Sequence, residues 1–238
     1  MINSDKTKEF NIIVINLDGL RRDKLQLCPT LKTLAKRSFY FSEMNTVAPY
    51  TFASLHAVVS GLYPSSNGVN AYYNMFKFKK NTITTIPQLL KKLGYYTCCD
   101  VNTELAMPKQ GYDEYTVYDE QAIDFFKRHS DLIKKLSKKK FFLFLQNTET
   151  HSNLVRTIIE KDKGKSLDDE YFNSVEDNDS RYNSHLPITD SYVSGILDTL
   201  NELELVENTI LIIFSDHGTS IGEKRGEKFY GVYVYDYT

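Results

Sequence analysis

Apolar residues fall into short unbroken runs along this chain, with amphipathic stretches between them. FNIIVINLDGL (10–20) is nearly continuous and β-branched up to an Asp-Gly pair, the pattern of a strand buried on both faces. YYTCCDV (95–101), FFLFLQN (141–147) and NTILIIFSDHG (208–218) have the same character, and FYFSEM (39–44) reads as a further short strand. Helical spacing occupies the intervals, at 29–38, at 51–61 closed by Gly61, at 84–94 with Gly94 past its end, at 119–140 and at 187–206. The segment 160–184 is polar and reads as a mobile surface loop or lid. Alternating strands and helices predict an α/β fold, a three-layer sandwich with a mainly parallel central sheet and helices on both faces. No repeat or linker divides the chain, so a single domain over 1–238 is expected.

Composition narrows the function classes. With 41% hydrophobic and 25% charged residues, the 238-residue chain is ordinary for a soluble globular protein with a sizeable core. A net charge of -2 gives no global attraction to nucleic acid, and none is expected as a partner. The lysine clusters at 76–80 and 134–140 read as solvated helix ends. Three cysteines without a C-x-x-C pair point to neither a disulfide framework nor a thiolate zinc site. The start MINSDKTKEF lacks the apolar core of a signal peptide, and no run is long enough to span a membrane; the expected location is cytoplasmic.

In parallel sheets, ligands collect beyond the carboxyl ends of the strands. Three strand ends carry polar groups there: Asp18, then Glu149 with His151, then Asp216 with His217. A lone aspartate in that place is often a helix cap. An Asp-His-Gly triplet leaving a buried strand can instead share a divalent cation, and three such ends converging favour a metal site. Thr51 opens the helix at 51–61 behind a Pro-Tyr turn, where a hydroxyl serves either as a cap or as a nucleophile seated beside an anion-binding helix end. His56 reads as core packing, His129 and His185 as solvated, and Arg21 or Arg22 either as an anion contact or as a surface ion pair.

The blocks NIIVINLDGLRRDKL, APYTFASLHAVVSGLYPSSNGV, FFLFLQNTETHSN and NTILIIFSDHGTSIGEKRGEKFYG, in that order, resemble the sulfatase family of the alkaline phosphatase superfamily. The resemblance implies an enzyme that cleaves or transfers a sulfate or phosphate ester beside a divalent cation. It implies Asp18, Thr51, Asp216 and His217 as metal ligands, Thr51 as nucleophile, and His151 near the leaving oxygen. It also implies Lys228 as a substrate contact; Arg21, which follows Asp18 closely, is a second candidate contact. A lysine at 228 favours one metal ion, of Zn, Mn, Mg or Ca, and Gly19 in place of a second aspartate favours Zn or Mn.

The implied partner is an anionic small-molecule, glycan or lipid ester. Asp190 resembles a helix position of structural role. The Cys/Ser-x-Pro-x-Arg signature of sulfatases is here Thr51-Phe52-Ala53-Ser54-Leu55. That favours phosphoester chemistry over the formylglycine route. Gly19 replaces a second aspartate of many arylsulfatases. The chain stops where relatives continue into a C-terminal subdomain. Two alternatives stand beside this reading: a two-metal phosphodiesterase or phosphomutase, and a non-catalytic member that binds an anion or glycan.

Overall fold

The computed structural model describes residues 9–120, 123–151 and 175–222. Among the described residues five strands form one parallel sheet: β1 Asn11–Leu17, β2 Tyr96–Val101, β3 Glu114–Val117, β4 Phe141–Asn147 and β5 Thr209–Phe214. Their spatial order is β3-β2-β4-β1-β5, with every neighbouring pair parallel. β1 therefore lies between β4 and β5, with Ile15 opposite both Leu145 and Ile213. The carboxyl ends of these three strands lie side by side.

Period-two alternation sorts the buried residues into two cores, one on each face. Ile13, Ile15 and Leu17 of β1 join Leu143 and Leu145 of β4 in the larger core. The helices α1 (Pro29–Arg37), α5 (Phe125–Leu136) and α6 (Val175–Glu202) contribute Leu31, Ile133 and Ile196 to it. Val14, Phe142 and Phe144 face the other way and meet Leu55 and Val59 of α2 (Thr51–Ser60), with Leu90 of α4 (Ile86–Lys92) against them. A short helix α3 (Pro64–Asn67) links α2 to the loop before α4. The expected three layers are thus present. No helix among the described residues is long and apolar enough to cross a membrane.

Helix starts follow local chemistry. Thr85 and Gln88 form a capping box on α4, and Asp124 accepts the Lys127 N–H of α5 at 2.9 Å. The start of α1 is capped from across the domain. Asp190 of α6 accepts the N–H groups of Thr30 and Leu31 at 2.9 and 3.0 Å, which supplies a structural role for that aspartate.

Three elements differ from the sequence expectation. FYFSEM forms no strand; Phe39 and Phe41 are exposed and line a groove of about 1230 Å³ between α1, the end of α2 and β5. The four-residue β3 was not expected; it is only half-buried and carries no apolar run. Residues 175–184, expected within a loop, are the start of α6, while 152–174 lie outside the described residues. Tyr182, Leu186, Val193, Ile196 and Leu200 recur at spacings that put them on the buried side of α6. That row outweighs the polar composition and carries the helix through Pro187, which is exposed.

His129 is also corrected: it is fully buried, not solvated. Its Nδ1 bonds the Tyr192 hydroxyl at 2.7 Å, and its Nε2 lies 3.3 Å from Asp100. His185 is partly buried, 3.7 Å from Glu149. His56 is packed as expected, with Nδ1 donating to the Phe52 carbonyl at 2.7 Å, and burial pulls its pKa down to about 4.

Candidate active site

Beyond the carboxyl edge of the sheet, β1 delivers Asp18, β4 is followed by His151, and β5 is followed by Asp216 and His217. Thr51 reaches the same point from the first turn of α2. The cap position of that helix is Tyr50, in extended conformation and without a side-chain bond to the helix. The Thr51 hydroxyl is therefore not a cap. It donates to Asp18 Oδ2 at 3.4 Å and lies 3.3 Å from His217 Nε2.

Asp18 and Asp216 are both buried. One oxygen of each is engaged. Asp18 Oδ2 accepts from Gln146 Nε2 at 2.8 Å and from Thr51; Asp216 Oδ1 accepts the N–H groups of Gly19 and His217 at 3.4 and 3.2 Å. Asp18 Oδ1 and Asp216 Oδ2 receive no hydrogen bond from the described residues although they are buried. Burial pushes both carboxyls above the usual carboxylate range, and for Asp216 the neighbouring Asp18 adds to the effect.

His217 Nε2 stands 3.3 Å from Asp18 Oδ1 and 3.6 Å from Asp216 Oδ2. Its Nδ1 pairs with the Gly218 carbonyl at 2.7 Å; a carbonyl only accepts, so Nδ1 carries a hydrogen, and in the neutral ring Nε2 is the nitrogen left to ligate a cation. Burial lowers the His217 pKa, but Asp216 and Asp18 outweigh it and leave the imidazole raised. Two buried carboxylates thus draw positive charge to one spot. Ligand atoms of Asp18, His151 and His217 all lie within 4.8 Å of one another. Orphaned carboxylate oxygens, an imidazole and a hydroxyl form a donor set that suits a divalent cation.

His151 Nδ1 lies 3.7 Å from Asp18 Oδ1, and its ring meets that of His217 edge-on at 5.6 Å. Burial, then His217, holds its pKa down at about 4. Glu149 turns toward His185 on α6. The Arg21 guanidinium donates to Asp23 at 2.9 Å and to the Thr219 carbonyl at 2.8 Å, which ties the two loops beside the site to each other. An anion would have to compete with these contacts. Lys228 lies outside the described residues.

Several supporting residues were not picked out from the sequence. Thr46 and Ser54 both donate to the Asp216 carbonyl, at 2.6 and 2.7 Å, so the helix bearing Thr51 grips the turn bearing Asp216. Ser54 stands one helical turn after Thr51, the single clue available in advance. Asn16 accepts the Asp216 N–H at 3.1 Å.

Gly19 is explained by space and backbone. Its φ is +69°, and a Cβ there would lie 2.7 Å from Thr219 Oγ1 and 3.4 Å from His151 Nδ1. Gly19→Ala is expected to cost about 1–3 kcal/mol of stability in denaturant titration, through left-handed strain and displacement of Thr219.

Comparison with known proteins follows the same lines. The sequence profile of the family described as Sulfatase matches residues 11–237. No curated protein sequence matches the chain significantly. Among solved structures, the lipoteichoic acid synthase LtaP from Listeria monocytogenes is similar with a TM-score of 0.66 and 18% identity, covering 89% of this chain and 57% of LtaP. The C-terminal periplasmic domain of EcEptC from Escherichia coli, in complex with Zn, gives 0.66 and 14%, covering 97% of this chain and 68% of that one. BT33494S-sulf from Bacteroides thetaiotaomicron gives 0.70 and 16%, with 96% and 66% covered. The chain spans 57% of LtaP and 59% and 61% of two further similar structures, a Vibrio parahaemolyticus protein of the alkaline phosphatase superfamily and Ps i-CgsB. At these identities the structural likeness establishes the fold alone: α/β, with a mainly parallel sheet. By the match of its sequence from residue 11 to residue 237, this chain belongs to the sulfatase family.

Proposed function

We propose that the chain is a hydrolase or transferase of sulfate or phosphate esters, with Thr51 as its nucleophile and one divalent cation held by Asp18, Thr51, Asp216 and His217. The observation that carries this reading is the Thr51 hydroxyl, 3.4 Å from Asp18 and 3.3 Å from His217, beside two buried carboxylate oxygens without hydrogen bonds. When bound, the cation supplies positive charge for the ester's non-bridging oxygen and for the ionised hydroxyl.

The chain's own groups do the rest. Thr51 Oγ1 gives its proton to Asp18 Oδ2, toward which it points, and attacks the central phosphorus or sulfur, forming one bond as the ester oxygen leaves. First-turn N–H groups of α2 face the non-bridging oxygens, where a helix start favours negative charge. The anionic ester beside His151 raises its imidazole from the value of about 4 that it has in the free site, and in that complex His151 delivers a proton to the departing alkoxide. Water or an acceptor alcohol then takes the group from Thr51. Phosphate is favoured over sulfate because threonine cannot be converted to formylglycine by the usual route. Arg21 and Lys228 are the proposed substrate contacts, Arg21 against the competition of Asp23 and Thr219. The substrate class is an anionic ester of a small molecule, glycan or lipid.

Metal analysis of the purified protein, coupled to parallel assays on aryl phosphates and aryl sulfates, tests the reading. One equivalent of metal with phosphoesterase turnover is expected. Two equivalents would establish the two-metal alternative, to which the nearness of His151 lends support, and faster sulfate turnover would reverse the substrate order. Adding Zn²⁺ at about a hundredfold excess over its Kd is expected to stabilise the fold by about 2.7 kcal/mol. For a domain of this size that is a rise in Tm of roughly 5–10 °C, visible in a thermal melt and erased by chelator.

A further inference from the structure

Gln146 is a fully buried amide near the end of an otherwise apolar strand, FFLFLQN. Phe142 and Phe144, four and two residues before it on the same face of β4, serve hydrophobic packing. Nothing in that packing calls for an amide, and burying one costs free energy unless both ends are bonded. Both ends are bonded. Nε2 donates to Asp18 Oδ2 at 2.8 Å, and Oε1 accepts the backbone N–H of Asn102 at 3.2 Å. The side chain therefore reaches from the end of β2, across its own strand, to the end of β1. Its backbone carbonyl is held as well, by the Tyr118 hydroxyl at 2.9 Å.

The consequence falls on Asp18. With Oδ2 engaged by Gln146 and Thr51, the plane of the carboxylate is set. Oδ1, which has no hydrogen bond, is left turned toward His217 Nε2 at 3.3 Å and His151 Nδ1 at 3.7 Å. We propose that Gln146 is a positioning residue: its amide fixes the Asp18 carboxylate so that one oxygen stays open to the cation while the other accepts the Thr51 hydroxyl. This rests on the reading of Asp18 as a cation ligand. Groups one step removed from a metal ligand orient it, and their loss typically weakens metal binding by about 10–100-fold.

The test is titration of the metal-stripped full chain with Zn²⁺ alone, followed by calorimetry with no substrate present. Gln146→Met keeps the size of the side chain and removes both hydrogen bonds; it is expected to weaken Zn²⁺ binding about 10–100-fold. Gln146→Asn, one methylene too short to span both partners, is expected to do the same and serves if the methionine variant does not fold. Asn102→Ala is the control. It removes the side-chain bond from Asn102 to Glu120 in the same buried neighbourhood yet leaves the Gln146–Asp18 bond untouched. It is expected to bind Zn²⁺ within twofold of the parent chain.

Both glutamine variants binding within twofold of the parent would overturn the proposal. So would an equal loss in Asn102→Ala, which would mark general loosening of the region. A parent chain that takes up no Zn²⁺ or Mn²⁺ sinks the cation reading itself. A parent that binds while Gln146→Met binds equally sinks the positioning role alone.

Discussion

Thr51→Ala is expected to reduce turnover by at least about a thousandfold while the protein remains folded. The two halves of that expectation have separate causes. Removing the hydroxyl deletes the atom that forms the new ester bond, and no other described side chain in the site offers an aliphatic hydroxyl to both Asp18 and His217. Stability is spared because Thr51 lies inside the first turn of α2, not at its cap. Its bonds, at 3.3 and 3.4 Å, are long, and the side chain is only partly buried. Thr51→Ser, which keeps an oxygen at the same place, is expected to retain most of the activity. Kinetics of the three proteins, with circular dichroism to check folding, decide the matter. Unchanged turnover in Thr51→Ala would remove the nucleophile and favour a binding role for the pocket.

Asp100→Asn is expected to have the largest effect on stability, a loss of about 3 kcal/mol. Asp100 is fully buried at the end of β2 and accepts from Arg128 Nε and Nη2 at 2.6 and 2.8 Å and from Thr116 at 2.6 Å. Burial alone would push its carboxyl up; the bonds from Arg128, His129 and Thr116 outweigh burial and hold it at about 2. An asparagine keeps the shape but leaves the guanidinium beside a neutral partner.

The sign of the pH dependence follows from the depressed value. Between roughly pH 3.9, where an unfolded aspartate titrates, and about 2, the unfolded chain binds the extra proton. The stabilisation is therefore complete above that window and is lost as pH falls through it. His129 adds to acid sensitivity at higher pH. Burial, the largest influence, lowers its pKa, so stability begins to fall as pH drops below about 6.5. Urea titrations of both proteins should show the gap between them narrowing by about 2 kcal/mol from pH 4 to pH 2. A constant gap would mean that the Asp100 carboxylate contributes through shape alone.

What the sequence disclosed in advance depended on how each residue earns its place. Strands β1, β2, β4 and β5 were legible because burial on both faces demands unbroken apolar runs, and the residues at their ends stood out against those runs. β3 was not, since four half-buried residues at the sheet's edge carry no such demand. FYFSEM misled because aromatic alternation marks an apolar surface without saying what it faces; here Phe39 and Phe41 line an open groove. α6 was half hidden by its Asn, Asp and Ser content, although Tyr182 and Leu186 keep the helical spacing.

The charged groups around Thr51 could be named from motifs. The neutral ones that hold them could not. Gln146, Asn16, Thr46 and Ser54 act through hydrogen bonds that depend on which strands become neighbours, and order along the chain does not reveal that. His129 failed for a related reason: its partners Tyr192 and Asp100 come from other elements.

The placement of β1 between β4 and β5 also bears on how the molecule comes into being. The site couples positions as far apart as Gly19 and Asp216, 197 residues along the chain. Every residue between Leu17 and Thr209 leaves the ribosome before β5, the second neighbour of β1, exists. Loop-closure entropy makes such a pairing late and slow, so a nascent chain carries one open flank of β1 until β5 emerges. Chaperone demand during translation, rather than the folded protein's stability, is then the stage at which substitutions in β5 should first be felt.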